Sequence, residues 1–244
     1  MFPAFNDAGT IGSVVLSARR AVRQWTPDYE IVVVDDGSGD HTAEVLAELE
    51  QVVPELRVIH HAGNRGYGAA LRTGFSAASK RLLFYTDGDA QFDPQEVHRL
   101  LEQLEPHVDY VSGYRTRRAD SFLRVLIGNP YHRFVRWAFG LRLRDIDCDF
   151  RLFRREFIGR LDTRESDGTF CIEMLKQLED MEARFAEVPV SHYPRVYGHS
   201  QYYNAKSVLG SYVRLFRLWV RLVHREVPKT IASSPPATGK TTPP

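Results

Sequence analysis

Cysteine, methionine and tryptophan are all scarce in these 244 residues, at two, three and three copies. Cys148 and Cys171 lie far apart with no CxxC spacing, so they build no zinc knuckle by themselves, and nothing demands an oxidising compartment. Lysine is scarce as well. Arginine supplies most of the 32 basic residues, which almost cancel against 31 acidic ones for a formal net charge of +1. That balance argues against a protein that binds nucleic acid through bulk charge alone. No stretch approaches the roughly 18 uncharged apolar residues of a membrane span. The N-terminus lacks a basic segment followed by an apolar one, the mark of a secretory signal, and the expected setting is the cytoplasm. Gly66-Tyr67-Gly68 follows a later strand and lacks the third glycine of GxGxxG, and neither GxxxxGKS/T nor GxSxG occurs. Dinucleotide binding by that fingerprint, P-loop chemistry and a hydrolase nucleophile elbow are thereby excluded.

What is present reads as one α/β domain. The chain is 43% hydrophobic and 26% charged, enough for a real core. Ile11, Val14, Val15, Ala18, Val22 and Trp25 fall on one helical face behind Thr10 as N-cap. Ile31 to Val34 is a β-branched run, as expected of a strand buried on both faces. Helix 42–52, strand 56–60, a glycine-rich turn at 63–68 and a helix to about residue 78 follow. Strand 82–86, helix 94–104 and strand 110–113 continue the alternation, which predicts a largely parallel sheet with helices on both faces. Met1 to Asp7 reads as the end of a strand and its loop: the first strand is truncated, or the start lies upstream. Lys229 to Pro244, rich in Ser, Thr, Pro and Gly, predicts a disordered tail.

Ligands of such sheets bind at the carboxyl ends of the strands. Here those ends carry Asp35-Asp36 and Asp87-Gly88-Asp89, two acidic clusters aimed at one crevice. Either Asp-Gly pair alone is ordinary turn chemistry. Together they repel unless a cation or hydrogen-bonding ligand compensates, which points to a metal and nucleotide pocket. Asp87-x-Asp89-x-Gln91 can hold Mg²⁺ or Mn²⁺ on one turn and leave positions for substrate phosphates and water. His60 and His61 also end a strand, where solvated loop histidines are a simpler reading than metal ligands.

The ordered set of motifs resembles glycosyltransferase family 2, and within it the polyprenyl-phosphate sugar transferases of the dolichyl-phosphate mannosyltransferase kind. The resemblance runs from Pro3 to about Tyr203. Pro3-Ala4-Phe5-Asn6-Asp7 resembles the family's opening Pro-x-Tyr-Asn-Glu, and Asp35-Asp36-Gly37-Ser38 its base- and ribose-binding loop. Asn64-Arg65-Gly66-Tyr67-Gly68 resembles its glycine-rich turn, and Asp87 to Gln91 with Pro94 its metal motif. Asp145 to Arg151 resembles the Asp-x-x-Ser-Gly-Phe-Arg segment, and Arg195 to Ser200 an Arg-x-x-Gly-x-Ser loop. The chain departs from the lipid-phosphate branch at Asp147, at Cys148-Asp149 and at Gln201, where a lysine is usual.

The resemblance implies the nucleotide-diphospho-sugar transferase A-type fold and a UDP- or GDP-hexose donor held by Pro3, Phe5, Asp7, Asp35, Asp36, Arg65, Asp87, Arg195 and Ser200. It implies Mg²⁺ or Mn²⁺ on Asp87, Asp89 and Gln91, Arg115 and Arg124 near an acceptor phosphate, and single displacement with inversion. Glu173 matches a position facing the cleft, or is a structural partner for arginine.

The implied acceptor is a polyprenyl phosphate at the inner face of the cytoplasmic membrane. A phosphate needs only alignment by arginines, whereas a hydroxyl needs a carboxylate to take its proton, and Asp145 is the candidate. The alternative for Asp145 is an ion pair with a neighbouring arginine. Residues 115–160 hold twelve arginines against five acids, which suggests an anionic partner or simply an arginine-rich composition. The expected domains are a catalytic unit at 1–204, an amphipathic basic helix at 205–228 and the tail at 229–244. In that helix Arg214, Arg217, Arg221, His224 and Arg225 form one stripe, opposite Val208, Leu209, Tyr212, Phe216, Trp219 and Val223. Such a helix suits the bilayer interface, the alternative being that it packs its apolar side on the domain or on a second subunit. Rival readings are a family 2 transferase acting on a hydroxyl of a metabolite, glycan or protein, and a non-catalytic nucleotide-sugar-binding scaffold.

Overall fold

The computed structural model describes residues 1–116, 132–197 and 205–224. Arg124, Ser200 and the 229–244 tail lie outside the described residues. β1 (Phe2–Ala4) is three residues long and pairs in parallel with β2 (Ile31–Asp35), which pairs in parallel with β3 (Leu56–His60). β4 (Leu82–Thr86) meets the chain start: the Met1 nitrogen donates to Phe84 O at 2.8 Å, and Thr86 N donates to Met1 O at 3.4 Å. β6 (Phe150–Arg154) runs antiparallel between β4 and β5 (Tyr110–Arg115), and β5 pairs in parallel with β7 (Phe185–Val190). The strands thus form a parallel sheet in the order β3-β2-β1, with a short first strand, and a mixed sheet in the order β4-β6-β5-β7, and the two Met1 hydrogen bonds bring β4 beside β1.

Alternation within β2 shows why both faces need cover. Val32 and Val34 join the core with α3 (Tyr67–Ala77) and α7 (Thr169–Asp180), and Ile31 and Val33 join the opposite core with α1 (Ile11–Arg23) and α2 (Thr42–Val52). A third cluster packs α4 (Val97–Gln103) on β5, β6 and β7. The expected elements agree closely with these bounds. α1 ends at Arg23, however, and Trp25 is half exposed instead of extending the buried face. Thr10 makes no side-chain cap either: its hydroxyl and the amides of Thr10 and Ile11 converge on the Asp7 carbonyl. The helix start is thus fixed to the crevice loop.

A helix over 132–139, here α5, precedes β6, and α6 (Arg155–Ile158) follows it. α8 (Ala205–Trp219) packs on the same face as α3 and α7 through Leu215 and Leu218, and Trp219 Nε1 donates to Ala138 O at 2.9 Å. The expected basic stripe is split: Arg217 and His224 are exposed, whereas two of its arginines are drawn into ion pairs. Arg214 pairs with Asp167, and Arg221 lies 2.7 Å from both Glu165 and Glu173. Tyr212, Phe216 and Val223 remain exposed on the outer side. No helix among the described residues is long and apolar enough to cross a membrane.

Candidate active site

β1, β2 and β4 end side by side and deliver three acidic groups to one crevice. Gly88 is the closest point: a Cβ there would come within 3.0 Å of the Pro3 carbonyl and 3.5 Å of Asp7 Oδ2. The loops after β1 and β2 are stitched together. Asn6 N donates to Ser38 Oγ at 3.0 Å, Gly39 N donates to Asn6 Oδ1 at 2.8 Å, and Asp7 N donates to Thr42 Oγ1 at 2.9 Å. Asn6 (φ 58°) and Ala90 (φ 60°) take left-handed backbone without being glycine, and both flank the crevice. Strain of this kind persists where the surroundings over-determine a functional turn.

The Asp35-Asp36 pair is deeply engaged. Asp35 accepts from Ser38 N at 3.0 Å and lies 2.9 Å from His60 Nδ1, its register partner across β3. Asp36 uses both oxygens on the glycine-rich turn: Arg65 N donates at 2.9 Å and Gly66 N at 2.8 Å, with His61 Nδ1 at 2.6 Å. His61 is buried and reaches Thr73 Oγ1 at 3.0 Å, so it is no solvated loop histidine. Gly66 (φ 94°) must be glycine, because a Cβ would sit 2.2 Å from Ser166 O. Asp36 therefore shapes the turn that carries the exposed Arg65, and Phe5 N is fixed to Asp7 Oδ2 at 3.1 Å.

Asp87 accepts from Tyr67 Oη at 2.8 Å. Burial, then the charges of Asp149 and Asp89, raise its carboxyl well above the usual range. Asp89 accepts from Gln91 N at 3.0 Å through Oδ1 and pairs with Arg195 at 2.5 Å through Oδ2. The segment carrying Arg195 is tacked along the rim. Gln91 Nε2 donates to Tyr193 O at 3.1 Å, Tyr193 N donates to Gln91 O at 2.8 Å, and the Tyr197 ring covers Gly9. Gln91 thus anchors the rim segment with its amide nitrogen. Among the described residues no group of three or more His, Cys, Asp or Glu forms a metal cage. Two carboxylates on one turn, crowded by Asp7 and Asp149, fit instead a cation shared with substrate phosphates.

Asp7 records the crowding. Burial lifts its carboxyl from 3.8 to about 6, the Phe5 amide opposing, Asp89 adding and Arg195 opposing. A carboxyl with a raised folded-state pKa contributes stability that is full below pH 3.8 and lost as pH rises through 6. Asp7→Asn in the metal-free protein is expected to gain up to about 3 kcal/mol at pH 8 and nothing at pH 3.5. Urea midpoints measured across that range check it; equal gains at both ends would refute the assignment.

The 145–151 segment differs from expectation. Asp145 holds Arg115 with both oxygens at 2.7 Å, and Arg115 N adds a third bond at 3.2 Å. This is the ion-pair alternative, and a carboxylate held on a guanidinium fork is a poor proton acceptor. The same pair leaves Arg115 directed at Asp145. Asp147 lies 2.9 Å from His132, and Asp149 lies 3.0 Å from the fully buried Arg151. Each of the three acids thus has its own basic side chain beside it. Arg142 and Arg144 pair with Glu179 and Glu187, which offsets two charges of the local positive excess from outside the segment. Glu173 likewise turns out to be structural: it accepts from Arg164 N at 2.8 Å and Glu165 N at 2.9 Å and pairs with Arg221.

The sequence points to a solvated His61 and gives no role to Tyr67 or to Asp149 as a neighbour of Asp87. The first had a signal: His60-His61 ends a strand that pairs in register with Asp35.

The profile of glycosyl transferase family 2 matches residues 1–161. Glucosyl-3-phosphoglycerate synthase from Mycobacterium tuberculosis in complex with phosphoglyceric acid is similar in structure, with 20% identity, 93% of this chain and 80% of that chain covered, and a TM-score of 0.67. The same enzyme with Mg²⁺ and uridine diphosphate gives 19% identity, 93% and 79% coverage and 0.67. With Mn²⁺, UDP-glucose and phosphoglyceric acid it gives 20%, 90%, 77% and 0.64. At these identities the likeness shows the fold, an α/β sheet of the sugar-nucleotide transferase A type.

Proposed function

The chain belongs to glycosyl transferase family 2, and on that premise we propose that it moves a hexose from a nucleoside-diphospho-sugar to a hydroxyl of a small metabolite. The observation that carries the donor half is the Asp87/Asp89 turn at the strand ends, beside Asp7 and under Arg195. Mg²⁺ or Mn²⁺ bound there would neutralise charge building on the leaving diphosphate. Arg195 would exchange its Asp89 contact for a phosphate oxygen, and the turn braced by Asp36 would offer Arg65 to the nucleotide.

Two observations favour a hydroxyl acceptor over a polyprenyl phosphate. Arg214 and Arg221 of α8 face the protein rather than a lipid headgroup, and Arg115 is engaged by Asp145. The similar structures, solved with UDP-glucose and phosphoglyceric acid, support the same reading. A peripheral membrane contact or homodimer would rest on the outward Tyr212, Val213, Phe216 and Val223 with the exposed Arg217 and His224.

The experiment is transfer from labelled UDP- and GDP-hexoses, with Mn²⁺, to a panel of hydroxy metabolites including phosphoglyceric acid, beside short-chain polyprenyl phosphate. Metal-dependent label in a water-soluble glycoside is expected. Label confined to the organic phase would overturn the hydroxyl reading and restore the lipid phosphate.

A further inference from the structure

We propose that Asp149 is the proton acceptor for the incoming hydroxyl, an inference that rests on the transferase reading above. Its position follows from the backbone. β4 and β6 pair antiparallel from Leu82↔Arg154 to Thr86↔Phe150, and one further step along that register sets residue 149 across from Asp87.

The two oxygens of Asp149 are treated differently. Oδ1 accepts from Tyr85 Oη at 3.0 Å, Arg151 Nη1 at 3.0 Å and Cys171 Sγ at 3.1 Å. Arg151 is itself fully buried and locked by Ser112 Oγ at 3.2 Å and Ile146 O at 2.7 Å. Oδ2 takes no hydrogen bond among the described residues, and the side chain is 17% exposed. A carboxylate clamped by one oxygen on a rigid platform, with the other free of hydrogen bonds from the described residues, can offer that second oxygen to a substrate hydroxyl. The neighbouring carboxylates lack this form. Asp145 has both oxygens on Arg115, Asp36 both on the glycine-rich turn, and Asp89 one each on Gln91 and Arg195. Asp7 and Asp87 belong to the donor and metal side.

The step balances without another reagent. The acceptor O–H gives its proton to Asp149 Oδ2 as the oxygen bonds to the anomeric carbon. The bond from that carbon to the diphosphate breaks, its electron pair leaves on the nucleoside diphosphate, and protonated Asp149 then returns its proton to water.

The test uses the full chain with UDP-glucose and Mn²⁺ as donor, and phosphoglyceric acid or water as acceptor. Asp149→Asn keeps an oxygen for the three Oδ1 donors. It is expected to bind UDP with Mn²⁺ within twofold of wild type by calorimetry, while transfer or hydrolysis falls about 10²- to 10⁴-fold with the donor KM unchanged. Normal donor binding with turnover within threefold of wild type overturns the proposal, as does loss of UDP binding in a folded variant, which would make Asp149 part of the donor cradle. Because Asn removes the counter-charge of buried Arg151, Asp149→Glu is measured in parallel. It is expected to stay folded and bind UDP but turn over at least tenfold more slowly, and wild-type turnover counts against the placement of Oδ2. A wild-type protein that neither binds nor consumes UDP- or GDP-hexoses would instead refute the transferase reading itself.

Discussion

Replacing Asp89 by alanine is expected to abolish Mn²⁺-dependent donor binding and to lower turnover by ~10³-fold or more, about 4 kcal/mol of transition-state stabilisation. Asp89 has two jobs in the structure. One oxygen caps the turn through Gln91 N, and the other holds Arg195. Alanine removes both, so Asp89→Asn is the control: it keeps an oxygen for the Gln91 amide and loses the charge. If the charge is what binds metal, both variants fail to bind Mn²⁺ in titrations followed by electron paramagnetic resonance, with or without UDP. If the turn alone matters, Asn restores turnover and the metal assignment falls. Asp7 offers an internal check, because Asp89 is one cause of its raised proton affinity. Either variant is expected to bring the Asp7 carboxyl down from about 6 toward its ordinary value, visible in a carboxyl-region NMR titration.

The strand ends were legible because two-sided burial leaves a local signature. Ile31 to Val34 has no polar face, and the chain turns acidic where that run stops. Motif order then identified the family. What the sequence could not supply was partner choice. Asp145, Asp147 and Asp149 alternate along one segment, and nothing in their spacing says which is held by a guanidinium fork and which has an oxygen to offer. That is decided by the antiparallel insertion of β6 beside β4 and by Arg115 at the end of β5, both distant in sequence. His61 was misread for the same reason, since its burial depends on Asp36 and Thr73 from two other elements. The helix wheel of α8 separated basic from aromatic residues correctly. It could not say that the buried side would carry Leu215 and Leu218 together with two arginines, because that depends on acids at 165, 167 and 173.

Those acids make α8 a part of the catalytic body, and Arg221→Met is expected to destabilise the protein by ~3 kcal/mol, the lower end for breaking a buried pair. Glu173 is 1% exposed and would lose its only cationic partner among the described pairs while still accepting the amides of Arg164 and Glu165. Arg221 is partly exposed, which moderates the loss. Adding Glu173→Gln should recover part of it, since the buried charge then disappears with its partner. The effect should also reach the donor. Ser166, between the two acids that Arg221 and Arg214 hold, accepts Gly68 N at 2.9 Å and binds Arg72 Nη2 at 3.0 Å, so it backs the turn that Asp36 shapes from the other side. A loosened 164–167 segment is therefore expected to raise the donor KM several-fold with little change in kcat. A helix serving only as a membrane rest would give the opposite result: unchanged urea midpoint and donor KM, with the loss confined to vesicle binding. The burial of Glu173 is what separates these outcomes, because a charge placed so deep has to be matched from within the fold.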